Sequence, residues 1–314
     1  MTVVKRDAPQ ARPAPLPNNI VPAPLRENRN YSIKISWAWL GAVPFFLFAI
    51  FFLIYPSSTL VMETFQDSVT HSFTLKNIIG LGDPFIINAY ITSIQISVVT
   101  ALGGGIFGFL LAFSATRGGL PGFMRSSLMT FSGVASNFAG VPLAFAFIAL
   151  LSPTGMLTVW LKAVGIDMYA NGFMLYRFWG LSLVYMYFQF PLMVLIIAPA
   201  IDGLRKEWLE ACENLGATSF QYWRYVAFPI LLPSLLGTMI LLFGNAFGAF
   251  ATAQALTGGA GVNLATIVIG AQLRGDVLND PGLGYSMAFG MVVIMAVVIM
   301  GYTLLQRKAE RWLR

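Results

Sequence analysis

Residue types able to do covalent, metal or proton chemistry are sparse in this sequence, and nowhere do they gather. His71 is the single histidine and Cys212 the single cysteine of 314 residues. No cluster of His, Cys and carboxylates surrounds His71 at ligand spacing, so no metal site is expected, and one cysteine excludes an internal disulfide. There is no Ser/His/Asp set. The run Gly103, Gly104, Gly105, Gly108 is not a phosphate cradle, because it lies in an apolar stretch with no Lys-Ser or Lys-Thr after it. No catalytic residue and no cofactor are therefore expected. What remains is of two kinds. Ser93, Asn137, Tyr185, Gln189 and Asn245 are neutral polar groups set into apolar stretches, where they must hydrogen-bond to one another or face a wet pathway. Leu204–Pro233 is one long polar interruption deep in the chain, suited to holding a partner.

The frame that positions these groups is membrane-embedded. Hydrophobic residues make up 57% of the chain and charged residues 10%, and the mean hydropathy is +0.73, values of an integral membrane protein. The expected fold class is all-α, with six transmembrane helices at about residues 37–55, 85–115, 129–151, 178–201, 230–252 and 284–305. Pro56 is expected to end the first span. Met156–Val164 and Leu264–Leu273 are too short to cross and are placed in outer connections. Residues 1–35, rich in Pro, Asn and basic residues, lack the apolar material to fold and read as a disordered tail. Residues 36–306 form the six-helix domain, and 307–314 a basic tail.

The net charge of +6 does not imply nucleic acid, because the basic residues are dispersed at the ends of apolar runs. Placing both termini in the cytoplasm leaves only Lys76, Lys162, Arg177 and Arg274 of the 19 Lys and Arg residues outside, the asymmetry that sets topology. None of the six expected spans contains a charged residue, which argues against a proton relay. Energy for any transport must then come from outside the chain.

The polar interruption has internal order. Lys206–Leu215 places Trp208, Leu209, Cys212 and Leu215 on one helical face and Lys206, Glu207, Glu210, Glu213 and Asn214 mostly on the other. Gly216 is placed to end this helix in a left-handed turn. Thr218 and Gln221 have the spacing of a capping box that opens a second helix, which Pro229 and Pro233 are expected to close before the fifth span.

Glu210, Ala211 and Cys212, then Gly216, then Val226, Phe228 and Pro229 resemble the EAA loop of the permease subunits of binding-protein-dependent type I ABC importers, the MetI-like superfamily. Cys212 stands for the second alanine and Phe228 for the usual leucine. Phe243, Gly244, Phe247, Gly248 and Phe250, followed by Leu256, Thr257, Gly258 and Gly259, are similar to the fifth span and outer loop of the same family, so the resemblance covers roughly residues 85–305. It implies that 204–229 is a cytoplasmic coupling loop between the fourth and fifth helices. There Glu210, Ala211, Cys212, Leu215, Gly216, Ala217, Val226 and Pro229 engage an ATPase.

The partners implied are two copies of a cytoplasmic ATPase subunit, a second and homologous permease, an extracytoplasmic solute-binding protein and the bilayer of a bacterial inner membrane. On this reading the chain is not itself an enzyme. It forms half of a pathway for a small polar solute, lined by Ser93, Asn137, Tyr185, Gln189 and Asn245. The layout is most similar to the spermidine/putrescine branch, with iron, phosphonate and opine permeases as neighbours. The residues alone also leave open a membrane assembly protein that recruits a cytoplasmic partner without transport.

Overall fold

A computed structural model describes residues 38–68, 70–259, 261–274 and 280–310. The proline-rich tail and the last four residues of the basic tail lie outside the described residues. Helix dominates, and β-pairing among the described residues is limited to the isolated bridge between Gln66 and Phe73.

The chain divides into two units after Ile50. The first contributes α1 (Ala38–Ala49), an apolar helix on which Phe45, Leu47 and Phe48 are exposed. A π-helical segment occupies Ile50–Ile54. The second unit contains α2 (Tyr55–Thr64), α3 (Lys76–Gly80), α4 (Pro84–Arg117), α5 (Gly122–Asn137), α6 (Gly140–Leu151), α7 (Met156–Ala163) and α8 (Phe178–Asp202). It continues with α9 (Lys206–Asn214), α10 (Ser219–Tyr222), α11 (Phe228–Phe247), α12 (Ala251–Thr257), α13 (Ala265–Arg274) and α14 (Pro281–Glu310). Among the described residues, 6 helical stretches are long and apolar enough to cross a membrane: Gly41–Thr64, Pro84–Arg117, Gly140–Ala163, Phe178–Asp202, Ser219–Phe247 and Pro281–Arg307.

The centre of the second unit is α4 packed along α8. The glycine run makes this approach feasible. A Cβ at Gly104 would stand 2.5 Å from Cβ of Gln189, and one at Gly108 would stand 2.5 Å from Cβ of Met193. Small residues at such contacts let helix backbones close up where lipid supplies no hydrophobic drive. α5 and α11 pack on the same pair, and α14 closes against α2, α11 and α13.

The expected third span, 129–151, is not one helix. α5 ends at Asn137 and α6 begins at Gly140, whose φ of +75° favours glycine. Pro142 then falls in the first turn of α6, where its missing N–H costs nothing. The apolar stretch long enough to cross is instead Gly140–Ala163, which includes the α7 segment expected to lie outside. The fifth span is interrupted as well. α11 stops at Phe247 and α12 starts at Ala251, so 230–252 is divided at Gly248–Phe250.

Three prolines expected as helix stops are not stops. α2 carries Pro56 in its first turn and runs to Thr64, and Ser219–Phe247 is helical through Pro229 and Pro233. In both places a π-helical segment precedes the proline, Ile50–Ile54 and Trp223–Ala227. A proline ring clashes with the carbonyl four residues back, here Phe52 and Tyr225, and each lies in the widened turn. The Phe228 N–H reaches back five residues to the Trp223 carbonyl, the bonding pattern of a π-bulge.

Candidate functional site

The polar interruption folds as two helices at an angle fixed by backbone bonds. At the end of α9, Gly216 takes φ +76°. Its N–H donates to the Glu213 carbonyl at 2.9 Å, and the Ala217 N–H donates to the Cys212 carbonyl at 3.0 Å, the pair of bonds of a Schellman turn. The next helix opens one residue later on a complete capping box. The Thr218 hydroxyl accepts from the Gln221 N–H at 3.3 Å, and the Gln221 side-chain carbonyl accepts from the Thr218 N–H at 2.7 Å.

One face of this unit is seated and the other is bare. Trp208, Leu209 and Cys212 pack against a cluster that includes Ile201, Tyr222 and Ala227, and the Arg205 guanidinium lies 5.8 Å from the Trp208 ring centroid. Leu215, expected on that inner face, is instead 87% exposed, because it lies past the last helical residue and turns outward with the cap. Phe220 and Tyr225 are each 70% exposed. Tyr225 joins Cys212, Leu215, Gly216, Ala217, Gln221, Tyr222 and Val226 in lining a recess of about 330 Å³. Glu210 and Ala211 are exposed beside it, and Pro229 is half-buried above it in α11.

The expected pathway residues separate into two sets. Ser93, Tyr185 and Gln189 are buried and serve as braces between elements. The Ser93 hydroxyl accepts from the Ala265 N–H at 2.8 Å and so supports the start of α13. The Tyr185 hydroxyl donates to the Ala249 carbonyl at 2.7 Å, and the Gln189 side-chain amide donates to the Leu242 carbonyl at 2.7 Å. Asn137 and Asn245 are exposed. The Asn137 amide turns onto its own helix and donates to the Gly133 carbonyl at 2.9 Å.

Asn245 opens into a second recess, about 390 Å³, where the two interrupted helices meet. Ser136, Ala139 and Gly140 line it from the α5–α6 break; Gly248, Ala249, Phe250 and Thr252 line it from the α11–α12 break. The Gly140 N–H donates to the Thr252 hydroxyl at 2.8 Å and holds the breaks together. Its lining carries no charged side chain.

The chain thus combines a seated helix pair with a bare apolar rim and an uncharged recess at paired helix breaks. The family model of the binding-protein-dependent transport system inner membrane component matches residues 104–313, which include both recesses. This chain belongs to that family.

Among relatives of the permease, the sulfate transport system permease protein of Escherichia coli K12 is 29% identical over 206 residues, covering 65% of this chain and 69% of that one. The spermidine/putrescine transport system permease protein of Haemophilus influenzae is 34% identical over 131 residues, covering 40% and 44%. In fold, the permease is similar to a chain of a bacterial ABC transporter involved in the import of alginate, an acidic polysaccharide, with TM-score 0.70, 16% identity and coverage of 86% and 95%. The MetI-like assignment and the all-helical membrane fold stand on these matches and on the six apolar helices. Sequence reasoning missed Thr252 and Gly140 as a linked pair in this permease. The available signal was two helix breakers inside apolar runs, Gly140 with Pro142 and Gly248 before Phe250.

Proposed function

We propose that this permease forms half of the translocation pathway of an ABC importer for a small polar solute. Cytoplasmic ATPase subunits, two per transporter, dock on Leu204–Pro229, with Glu210, Ala211, Cys212, Leu215, Gly216, Ala217, Val226 and Pro229 at the contact. The bare Leu215 and Tyr225 at the 330 Å³ recess, with Phe220 exposed on the same loop, carry this reading, since apolar groups held out on a rigid loop invite a partner. A second, homologous permease supplies the other half, an extracytoplasmic binding protein delivers the solute, and both termini lie in the cytoplasm of a bacterial cell. The solute passes Asn245 and the backbone of the two helix breaks.

A lining without charge leaves recognition of solute charge to the binding protein. The polyamine class is the reading favoured by the sequence layout. Sulfate is the second reading, favoured by the longer match to a sulfate permease. The test is to co-express the chain with an ATPase subunit, a second permease and a binding protein from the same organism and to measure uptake of labelled putrescine and of labelled sulfate. Putrescine uptake supports the first class and sulfate uptake the second. A chain that retains no ATPase on purification removes the coupling reading altogether.

A further inference from the structure

Two arginines flank the short connection from α4 to α5, and both reach the place where α8 hands over to the docking loop. Arg117, the last residue of α4, donates through one guanidinium nitrogen to the carbonyls of Ile201 at 3.1 Å and Leu204 at 2.8 Å. Arg125, in the first turn of α5, forms an ion pair with Asp202. The Ile201 carbonyl, in the last turn of α8, also accepts from the Leu204 N–H at 3.3 Å, and carbonyls at a helix C-terminus carry partial negative charge, so the guanidinium both neutralises this end and ties it to α4. Ile201 is 0% and Leu204 3% exposed, so the gripped backbone is packed as well as bonded. Between α8 and α9 only Gly203–Arg205 are non-helical. Unbraced, such a joint would bend when α9 is pushed.

We propose that Arg117 and Arg125 are positioning residues of the coupling step: they fasten the root of the docking loop to α4 and α5, so that displacement of α9 is delivered along α5 to the break at Phe138–Ala139. This rests on the reading of Leu204–Pro229 as the ATPase docking loop. The geometry suits a lever. α5 packs on α8, and Arg125 and Asn137 stand about 18 Å apart along the helix at 1.5 Å per residue. The push enters at the arginine end, and the far end borders the Asn245 recess. The Arg125–Asp202 pair is about two-fifths exposed on each side, so its contribution is orientation more than stability.

The test uses the full chain assembled with its ATPase and second permease, with amide hydrogen exchange across 133–142 read with and without MgATP and vanadate. In the unaltered complex the exchange rate around 138–140 changes on nucleotide trapping by at least about fivefold, the lower range of a coupling between sites. Arg117→Met is expected to retain the ATPase on purification and to lose that change. Arg125→Asp is expected to diminish it, and adding Asp202→Arg to restore it. An unchanged response in Arg117→Met overturns the proposal, as does loss of the ATPase from a folded Arg117→Met chain, which would make Arg117 part of the docking surface. Should Arg117→Met fail to insert, the exchanged pair decides: no loss in Arg125→Asp, or no recovery in the double variant, overturns it. Failure of the underlying docking reading looks different, because the unaltered chain then retains no ATPase and shows no nucleotide response.

Discussion

Gly140 donates its backbone N–H to the Thr252 hydroxyl at 2.8 Å, so the break between α5 and α6 is fastened directly to the break between α11 and α12. Tyr185 adds a second tie by donating to the Ala249 carbonyl. Neither interruption is supported by its own helix alone, and the recess beside Asn245 exists because both are held open together.

Thr252→Val is nearly isosteric and removes the acceptor. The Gly140 N–H, half-buried, then loses its partner, at an expected cost of about 1–3 kcal/mol. Thermal unfolding of the purified permease in detergent should show a lower midpoint for Thr252→Val and a parental one for Thr252→Ser. Equal midpoints for all three would mean that water replaces the hydroxyl.

Asn245 and Gln189 should separate function from stability. Asn245→Leu makes the recess apolar without removing an interhelical bond, so uptake falls while the amount of assembled transporter holds. Gln189→Leu removes the bond to Leu242 and should destabilise the chain by about 0.6–1.7 kcal/mol, with uptake per assembled transporter retained. Uptake normalised to purified complex, read beside melting midpoints, distinguishes the two. An inversion of this pattern would exchange their roles.

At Gly216 the added Cβ of a larger residue would meet nothing within 4 Å, so the penalty is in the backbone alone, about 1–2 kcal/mol for a side chain at φ +76°. Gly216→Val should therefore tilt α9 against α10 and reduce ATPase co-purification. Gly216→Asn, which tolerates the left-handed region, should retain it. Equal retention in both variants would separate this turn from docking.

Asp167 gives the turn after α7 a pH dependence. Its carboxylate accepts from the Ala170 N–H at 3.0 Å and pairs with Lys162 at 3.1 Å. These contacts, the backbone bond first, hold its pKa below the usual carboxylate range. A folded-state pKa below the unfolded one stabilises the fold above the unfolded value, and that contribution is lost as pH falls through the folded value. Proteolysis of the 165–172 turn should accelerate on acidification. In Asp167→Asn that acceleration should vanish, and its persistence would assign the effect to another group.

What could be read from the sequence was what neighbours along the chain decide. α4 and α8 begin and end close to the limits set by hydropathy, and Gly216 and the Thr218–Gln221 box act through bonds spanning a few residues. The helix breaks were not legible, because the bonds that hold them join residues 112 and 64 positions apart. The same holds for Ser93, whose partner Ala265 is 172 positions away. A polar residue in a span shows that some partner is required, and the partner's identity belongs to the tertiary fold. Pro229 misled because a widened turn can absorb a proline that would end a regular helix.

A π-helical turn amounts to an α-helix carrying one extra residue, and each α-helical residue advances about 100° around the axis. Trp223–Ala227 therefore sets the azimuth of Asn245 relative to Phe220 within one continuous rod. Removing Arg224 alone would regularise the helix and leave the docking side chains before it in place, yet turn Asn245 about 100° from its present heading. If docking and passage occur at the two recesses as proposed, the number of residues between them matters to this permease independently of which residues they are.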